Sequence, residues 1–126
     1  MASHKVLLID DSEISLHFAS QALVKAGYDV RTSMDVHEFR AALGEWRPDL
    51  ILTDVSMPGM SGVELCRLLK SSYETAHVPV VLFSAMSNEE LELLARDCEA
   101  DGFLSKVNGL DRLPQELGVL IESALF

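Results

Sequence analysis

Short apolar runs alternate with amphipathic stretches along the whole chain. Apolar runs of this length, with little polar alternation, are typical of strands that are buried on both faces of a sheet. The predicted strands are residues 5–10, 28–32, 50–54, 78–83 and 102–105. The second and fifth predicted strands are short.

Each predicted strand is followed by a predicted helix. The helices are predicted at residues 13–26, 36–45, 62–71, 88–99 and 111–125. Gly27 ends the first, Pro48 marks the break after the second, and acids follow Asn88, which opens the fourth. This alternation predicts an α/β fold with a doubly wound, five-stranded parallel sheet, right-handed crossovers and helices on both faces.

Chemically active side chains stand where four of these strands end. Asp10 and Asp11 end the first strand, Asp54 the third, Ser84 the fourth and Lys106 the fifth. Parallel strands bring their carboxyl ends to one edge of the sheet, where ligands of such folds bind. The groups should therefore converge into an acidic pocket that suits a hard cation and a phosphoryl group.

Each of these residues also has a simpler interpretation. Asp11 or Ser12 would serve as the cap of the following helix, and Asp54 as an ordinary turn acid. Ser84 would be a common strand-end hydroxyl, and Lys106 a surface lysine. Because all of them fall at the same end of their strands, one shared site explains them better than four coincidences.

Composition limits the classes of function. The 126 residues, 48% of them hydrophobic, suit one domain with a sizeable core, and no apolar run approaches the length that crosses a bilayer. A net charge of −10 disfavours nucleic acid and anionic membrane surfaces as partners. Because the first predicted strand begins within a few residues of the N-terminus, we expect no signal peptide.

Histidine and cysteine, the other common metal ligands, are scattered along the chain. The four histidines lack a zinc-type spacing, and Cys66 and Cys98 fall in predicted helices rather than in a metal or disulfide framework. We therefore expect a cytoplasmic protein in which both thiols are reduced.

The segment from Asp54 to Gly62, with Asp10 and Asp11 upstream and Ser84 and Lys106 downstream, resembles the receiver domain of bacterial two-component response regulators. The resemblance covers essentially the whole chain, so it implies a single receiver domain over residues 1–126. It implies the flavodoxin-like strand order 2-1-3-4-5. It also implies a stand-alone, chemotaxis-type regulator that is phosphorylated by a histidine kinase or a histidine phosphotransfer protein.

The resemblance assigns a phosphorylation and metal site. Asp54 corresponds to the phosphoacceptor, and Asp10 and Asp11 to the acidic pair that holds Mg²⁺. The main-chain carbonyl of Ser56 would complete the protein ligands. Mg²⁺ suits such a site because it binds oxygen ligands in a tight octahedron and keeps waters that a phosphoryl oxygen can replace.

The resemblance also assigns a switch. Ser84 corresponds to the switch hydroxyl, Phe103 to the switch aromatic and Lys106 to the invariant lysine. The usual proline after that lysine, joined by a cis bond, is replaced by Val107. Since a cis bond before a residue other than proline costs about 3 kcal/mol, we expect a trans bond here, with Gly109 absorbing the change in the loop.

Three alternatives belong to other classes. A haloacid-dehalogenase-type enzyme needs a second aspartate two residues after the nucleophile, where this chain has Ser56. A flavodoxin-like carrier of FMN needs a phosphate loop after the first strand, where Asp10 and Asp11 would repel phosphate. A pseudo-receiver would bind partners without phosphorylation. We expect a signalling module rather than an enzyme, one that catalyses only its own phosphorylation and dephosphorylation.

The fourth predicted helix offers a candidate surface for a downstream protein target. Residues at helical spacing, Leu91, Leu94, Ala95 and Cys98, should face the core. Leu93 then points to the opposite side, among acids. A single exposed leucine is ordinary, but its closeness to Phe103 makes Leu93 a candidate partner anchor.

Overall fold

The computed structural model describes residues 4–125, which form α/β layers around one parallel sheet. The strands are β1 Lys5–Ile9, β2 Asp29–Ser33, β3 Leu50–Thr53, β4 Val80–Ser84 and β5 Gly102–Ser105. Their order in the sheet is β2-β1-β3-β4-β5, and every neighbouring pair is parallel. The predicted fold class and strand order are therefore confirmed.

Five helices connect and follow the strands. They are α1 Glu13–Lys25, α2 Val36–Trp46, α3 Gly62–Ser71, α4 Asn88–Cys98 and α5 Leu113–Leu120. Side-chain oxygens of Ser12, Asp35, Ser61 and Ser87 cap the first four. Thus Ser12, and not Asp11, caps α1. Within residues 4–125, none of the helices combines the length and apolarity that a membrane crossing needs.

The core divides between the two faces of the sheet. Because side chains alternate along a strand, Leu7 and Ile9 of β1 face one side while Val6 and Leu8 face the other. The first side packs against α2, α3 and α4, and the second packs against α1 and α5. With both faces covered, β1, β3 and β4 are almost wholly buried, as their continuous apolar runs predict.

The last helix differs from its prediction. A helix over residues 111–125 is expected from the sequence, but a 3₁₀ turn occupies Leu110–Arg112, α5 ends at Leu120, and a π-helical turn follows over Ile121–Leu125. Pro114 stands at the start of α5. Since proline has no amide to donate to the carbonyl of Leu110, regular α-helical bonding begins only after it.

The fourth strand also begins later than predicted, at Val80 rather than at residue 78. Pro79 has no amide proton and contributes to the sheet only through its carbonyl, which accepts a hydrogen bond of 2.9 Å from the amide of Ile51.

Both cysteines lie in the core between α3 and α4. They are free thiols, and the Cys66 thiol donates a hydrogen bond of 3.4 Å to the carbonyl of Cys98. Burial raises the pKa of the Cys66 thiol, and nearby Cys98 adds to the rise. Both side chains are buried parts of the core packing.

Candidate functional site

Three carboxylates meet at the carboxyl edge of the sheet. Asp10 and Asp11 follow β1, Asp54 follows the neighbouring strand β3, and oxygens of the three lie within 4.8 Å of one another. The amide of Asp54 bonds the carbonyl of Ile9 at 2.9 Å, which joins the two strand ends. Carboxylates this close repel one another, so the arrangement favours a bound cation.

Asp54 is held in a partly buried position. The amide of Val55 donates to its Oδ1 at 2.9 Å, and only 13% of its side chain is exposed. Burial raises the pKa of Asp54 to about 6; the Lys106 ammonium opposes the rise, and the Asp10 carboxylate adds to it. Asp54 therefore carries its negative charge at a cost to the folded protein, unless a cation offsets it.

Asp10 is the most buried of the three acids, with 5% of its side chain exposed. Its Oδ1 accepts the amide of Ser12 at 2.9 Å, and its Oδ2 accepts Lys106 Nζ at 2.5 Å. Burial works to raise the pKa of Asp10, but the hydrogen bonds from Lys106 and Ser12 outweigh it, and the net pKa is lowered. Asp10 is thus a fixed anion, whereas Asp11 is exposed to solvent.

The Lys106 ammonium lies between two carboxylates. It bonds Asp10, stands 3.8 Å from Asp54 Oδ1, and sits 5.3 Å from the centroid of the Phe83 ring. The ring attracts the cation and limits its freedom. A short rotation would bring the ammonium to a group attached to Asp54.

A serine hydroxyl fixes the loop that carries Lys106. Ser105 Oγ donates to the carbonyl of Met86 at 2.7 Å and accepts the amide of Val107 at 3.2 Å. Proline at position 107 has no amide to donate, so valine allows a bond that the usual residue would forbid. The Lys106–Val107 bond is trans, as expected. Gly109 has φ +98°, a conformation that glycine adopts easily.

Ser84 and Phe103 lie on neighbouring strands beside this loop. Ser84 is 4% exposed at the end of β4, and its Oγ accepts the amide of Met86 at 3.4 Å. Phe103 is half-buried on β5, opposite Leu82, and packs against the core below. Ser56 lies two residues after Asp54, in the exposed loop before α3. The predicted site residues thus all lie at, or next to, one sheet edge.

Gly62 is a structural requirement of the site that sequence reasoning missed. Its amide bonds the carbonyl of Val55 at 2.8 Å, and a Cβ at this position would lie 1.9 Å from the carbonyl oxygen of Asp54. Only glycine allows α3 to begin this close to the acid. The available signal was a glycine directly after Ser61, the residue that caps α3.

Comparison with known proteins agrees with this geometry. The family model described as "Response regulator receiver domain" matches residues 6–118. The chain belongs to this family. It is 36% identical over 104 residues to Response regulator PleD of Caulobacter vibrioides, which covers 82% of this chain and 23% of PleD. It is 30% identical over 106 residues to the phosphate regulon regulator PhoB of Pseudomonas aeruginosa, which covers 84% of this chain and 46% of PhoB.

The chain thus spans less than half the length of these two regulators, and their complete activities are not transferred to it. Its likeness to the chemotaxis response regulator CheY4 of Vibrio cholerae extends over nearly all of both chains. There the TM-score is 0.84 at 28% identity, with 94% of this chain and 99% of CheY4 covered. The receiver family is shown, while the stand-alone, chemotaxis-type subclass stays a prediction.

Two further solved structures of response regulators match the chain. The phosphorylated cyanobacterial phytochrome response regulator RcpA matches at a TM-score of 0.76 and 28% identity, covering 96% of this chain and 93% of RcpA. A Mn²⁺-bound form of the response regulator Rcp1 matches at 0.75 with 21% identity, covering 90% of this chain and 91% of Rcp1, and shows the shared fold alone.

Proposed function

We propose that this receiver domain accepts a phosphoryl group on Asp54 from the phosphohistidine of a histidine kinase or a histidine phosphotransfer protein. The observation that carries the proposal is the convergence of three carboxylates and one ammonium at the edge where β1, β3 and β5 end. The phosphorylated state of RcpA, a protein of the same fold and 28% identical, supports it.

The donor set fits Mg²⁺. Asp10, Asp11 and Asp54 supply carboxylate oxygens within 4.8 Å of one another, and such oxygens are ligands that a small hard cation prefers. The carbonyl of Ser56 is the further protein ligand that we propose. Mg²⁺ would supply positive charge that offsets the carboxylates and the oxygens of an incoming phosphoryl group.

Each side chain of the site has a separate role in phosphoryl transfer. An oxygen of Asp54 forms a bond to phosphorus while the bond from phosphorus to the histidine nitrogen breaks in line, and its electron pair stays on the imidazole. The Val55 amide holds Asp54 Oδ1, which orients the carboxylate for this attack. Lys106 turns from Asp10 toward the equatorial oxygens and stabilises their charge.

The switch couples this event to the protein surface. The Ser84 hydroxyl turns to donate to a phosphoryl oxygen, and the space it leaves accepts the ring of Phe103. Phe103 has no hydroxyl, so its ring makes no hydrogen bond in the outward position. In the inward position the ring buries apolar surface, which is more favourable by on the order of 2 kcal/mol. Phosphorylation therefore favours the buried ring.

The output surface in this proposal lies on α4. Leu91, Ala95 and Cys98 are buried and Leu94 packs against the core, as predicted, whereas Leu93 is 67% exposed. Leu93 is then the anchor for a downstream protein that recognises the phosphorylated state. The domain acts as a cytoplasmic signalling module, not as an enzyme on other substrates, and its buried free thiols suit that reducing compartment.

A phosphodonor assay tests the chemistry. Acetyl phosphate should add one phosphoryl group when Mg²⁺ is present, and Asp54→Asn should abolish the addition. Asp11→Asn should bind Mg²⁺ much more weakly, because it removes one of the charges that the cation neutralises. Equal incorporation into Asp54→Asn, or undiminished incorporation after chelation of the metal, would contradict the proposal. A wild-type chain that binds its partner without taking up phosphate would instead be a pseudo-receiver.

A binding assay tests the output. Leu93→Asp should leave phosphorylation of Asp54 intact and remove the phosphorylation-dependent binding of co-purifying partners. Tyr73→Asp is the matched control, because Tyr73 is 97% exposed and lies between α3 and β4. If Leu93→Asp binds as well as the wild type, the output surface lies elsewhere, and α1 around Ile14 and Phe18 is the next candidate, at 71% and 52% exposure.

A further inference from the structure

Two buried serines lie side by side where β4 and β5 end, and their hydroxyls make different hydrogen bonds. Ser84 and Ser105 are partners in the register of the two parallel strands, and they are 4% and 3% exposed. Ser84 Oγ accepts the amide of Met86 at 3.4 Å and donates to no acceptor within residues 4–125. Ser105 Oγ donates to the carbonyl of Met86 at 2.7 Å. The Ser105 proton is therefore already bonded to the loop after β4, while the Ser84 proton is free for a phosphoryl oxygen.

Ser105 also closes a turn around Lys106. Its Oγ accepts the amide of Val107 at 3.2 Å, so the peptide group that follows Lys106 is bonded to the residue that precedes it. The side chain of Val107 is 72% exposed, so packing of this residue does not hold the turn. A proline ring would fix the backbone torsion at position 107, whereas valine leaves it free to rotate. Through its two bonds, the Ser105 hydroxyl joins the turn around Lys106 to the loop after β4.

The Lys106 ammonium has a narrowly defined position. Its Nζ is 2.5 Å from Asp10 Oδ2 and 3.8 Å from Asp54 Oδ1. Because only 16% of the side chain is exposed and the centroid of the Phe83 ring lies 5.3 Å from Nζ, few other rotamers are open to it. A displacement of the Lys106 backbone would therefore move the ammonium away from both carboxylates.

We infer that Ser105 is a positioning residue that holds the Lys106 ammonium in place for phosphoryl transfer to Asp54. Its hydroxyl supplies, through two hydrogen bonds, the backbone restraint that valine at position 107 does not supply by itself. Ser105 then acts only through Lys106 and contacts neither the phosphoryl group nor the cation. This role rests on the proposed function, because Lys106 is assigned there to the phosphoryl oxygens.

The rate of phosphorylation by acetyl phosphate at saturating Mg²⁺ tests this role. The comparison is between Ser105→Ala, which lacks the hydroxyl, and Ser105→Thr, which keeps it. A misplacement of about 1 Å near a reacting centre costs about 100-fold in rate, and the loss of one restraint should cost less. We expect Ser105→Ala to be phosphorylated about tenfold more slowly than the wild type, and Ser105→Thr to stay close to the wild-type rate.

Ser33→Ala is the matched control. Ser33 is 2% exposed at the end of β2, and its hydroxyl donates to the carbonyl of Leu8 at 2.9 Å, but β2 lies at the edge of the sheet opposite to β5. This variant should lower the midpoint of thermal unfolding about as much as Ser105→Ala does, and it should leave the rate unchanged. Equal slowing in the two variants, or a wild-type rate in Ser105→Ala, would overturn the inference alone.

A second comparison tests the route through Lys106. Ser105→Ala should slow the wild type but should not slow Lys106→Met further, because that variant has no ammonium to position. If Ser105→Ala slows Lys106→Met as much as it slows the wild type, Ser105 acts by another route and the inference is wrong. A wild-type chain that takes up no phosphoryl group would overturn the proposed function and the inference together.

Discussion

The two ends of the sheet each contain a partly buried lysine, and the two lysines are bound in different ways. At the amino end, Lys70 bonds one carboxylate, Asp101, at 2.6 Å and also donates to the carbonyl of Val78 at 3.0 Å. Asp101 in turn accepts the amide of Val80 at 2.8 Å. At the carboxyl end, Lys106 bonds Asp10 and stands 3.8 Å from Asp54, and Asp11 offers a third carboxylate within 4.8 Å of these two acids.

This difference separates a structural ion pair from a site that is ready to react. At the amino end, Lys70 and Asp101 bond each other and three backbone groups, the carbonyls of Ala76 and Val78 and the amide of Val80, so nothing is gained by adding an ion. At the carboxyl end three carboxylates lie near one ammonium, and burial raises the pKa of Asp54. Because the negative charges at the carboxyl end are not fully neutralised by Lys106, a cation and a phosphoryl group can bind there favourably.

The largest expected effect comes from the backbone that holds Asp54 at the carboxyl end. Gly62→Ala places a Cβ 1.9 Å from the carbonyl oxygen of Asp54, so the start of α3 must move. We expect the free energy of unfolding to fall by on the order of 4 kcal/mol, measured by urea denaturation. Gly44→Ala, where a Cβ meets open space in α2, should instead raise it by about 0.5–1 kcal/mol. Equal effects would show that the close approach is not needed.

Replacing each lysine in turn should show that the two ends of the sheet lose different amounts of stability. Without metal, Lys106→Met leaves two partly buried acids unpaired and should lower the free energy of unfolding by about 3 kcal/mol. Lys70→Met should lose less, about 1–2 kcal/mol, because Asp101 is 34% exposed.

The response to metal is the discriminating readout for these two variants. Mg²⁺ should restore part of the stability of Lys106→Met, since it replaces the missing positive charge, and none of that of Lys70→Met. Equal rescue of both variants, or rescue of neither, would remove the distinction drawn between the two ends.

Neutralising the strained acid should stabilise the metal-free protein. The pKa of Asp54 is raised from 3.8 to about 6, so the folded state binds this proton more tightly than the unfolded state does. The contribution of Asp54 to stability therefore falls as the pH rises through this window and stays low above it. At neutral pH with a chelator, the free energy of unfolding of Asp54→Asn should be higher than that of the wild type by about 2 kcal/mol.

The same variant should also have a flatter dependence of stability on pH between 3.8 and about 6 than the wild type has. Denaturant titrations of both proteins across that window measure it. A variant with the wild-type slope, or one that is less stable at neutral pH, would show that Asp54 is not strained.

The smallest expected effect concerns the hydroxyl that joins the two loops of the carboxyl end. Ser105→Ala removes the bonds to Met86 and Val107, and should cost about 1 kcal/mol. Hydrogen exchange of the Val107 amide should become faster. Ser71→Ala, whose hydroxyl bonds only Leu68 of its own helix, is the control and should leave that exchange unchanged.

The residues that could be predicted from the sequence are those whose place follows from strand periodicity. Asp10, Asp54, Ser84 and Lys106 each end an apolar run, and parallel pairing alone brings such ends to one edge. The exposed position of Leu93 on α4 likewise follows from helical spacing, and its exposure is confirmed at 67%.

The residues that were missed depend on contacts between distant segments. Phe83 reads as one more apolar residue of a strand until Lys106 is found 5.3 Å from its ring. Ser105 reads as a strand end until its bond to Met86 is seen. The local sequence pattern does not show which distant side chains come into contact. The predicted start of helix α5 was wrong for a related reason. Pro114 has no amide to bond the carbonyl four residues earlier, so its effect depends on where the helix begins.

The most direct test of the account maps the phosphoryl group to a residue. After incubation with acetyl phosphate and Mg²⁺, borohydride reduces an aspartyl phosphate to the alcohol, and peptide mass spectrometry identifies the position. We predict homoserine at position 54, dependent on Mg²⁺, with Asp10 and Asp11 unchanged. Reduction at another acid, or none at position 54 although the metal is bound, would contradict the assignment of Asp54 as the phosphoacceptor.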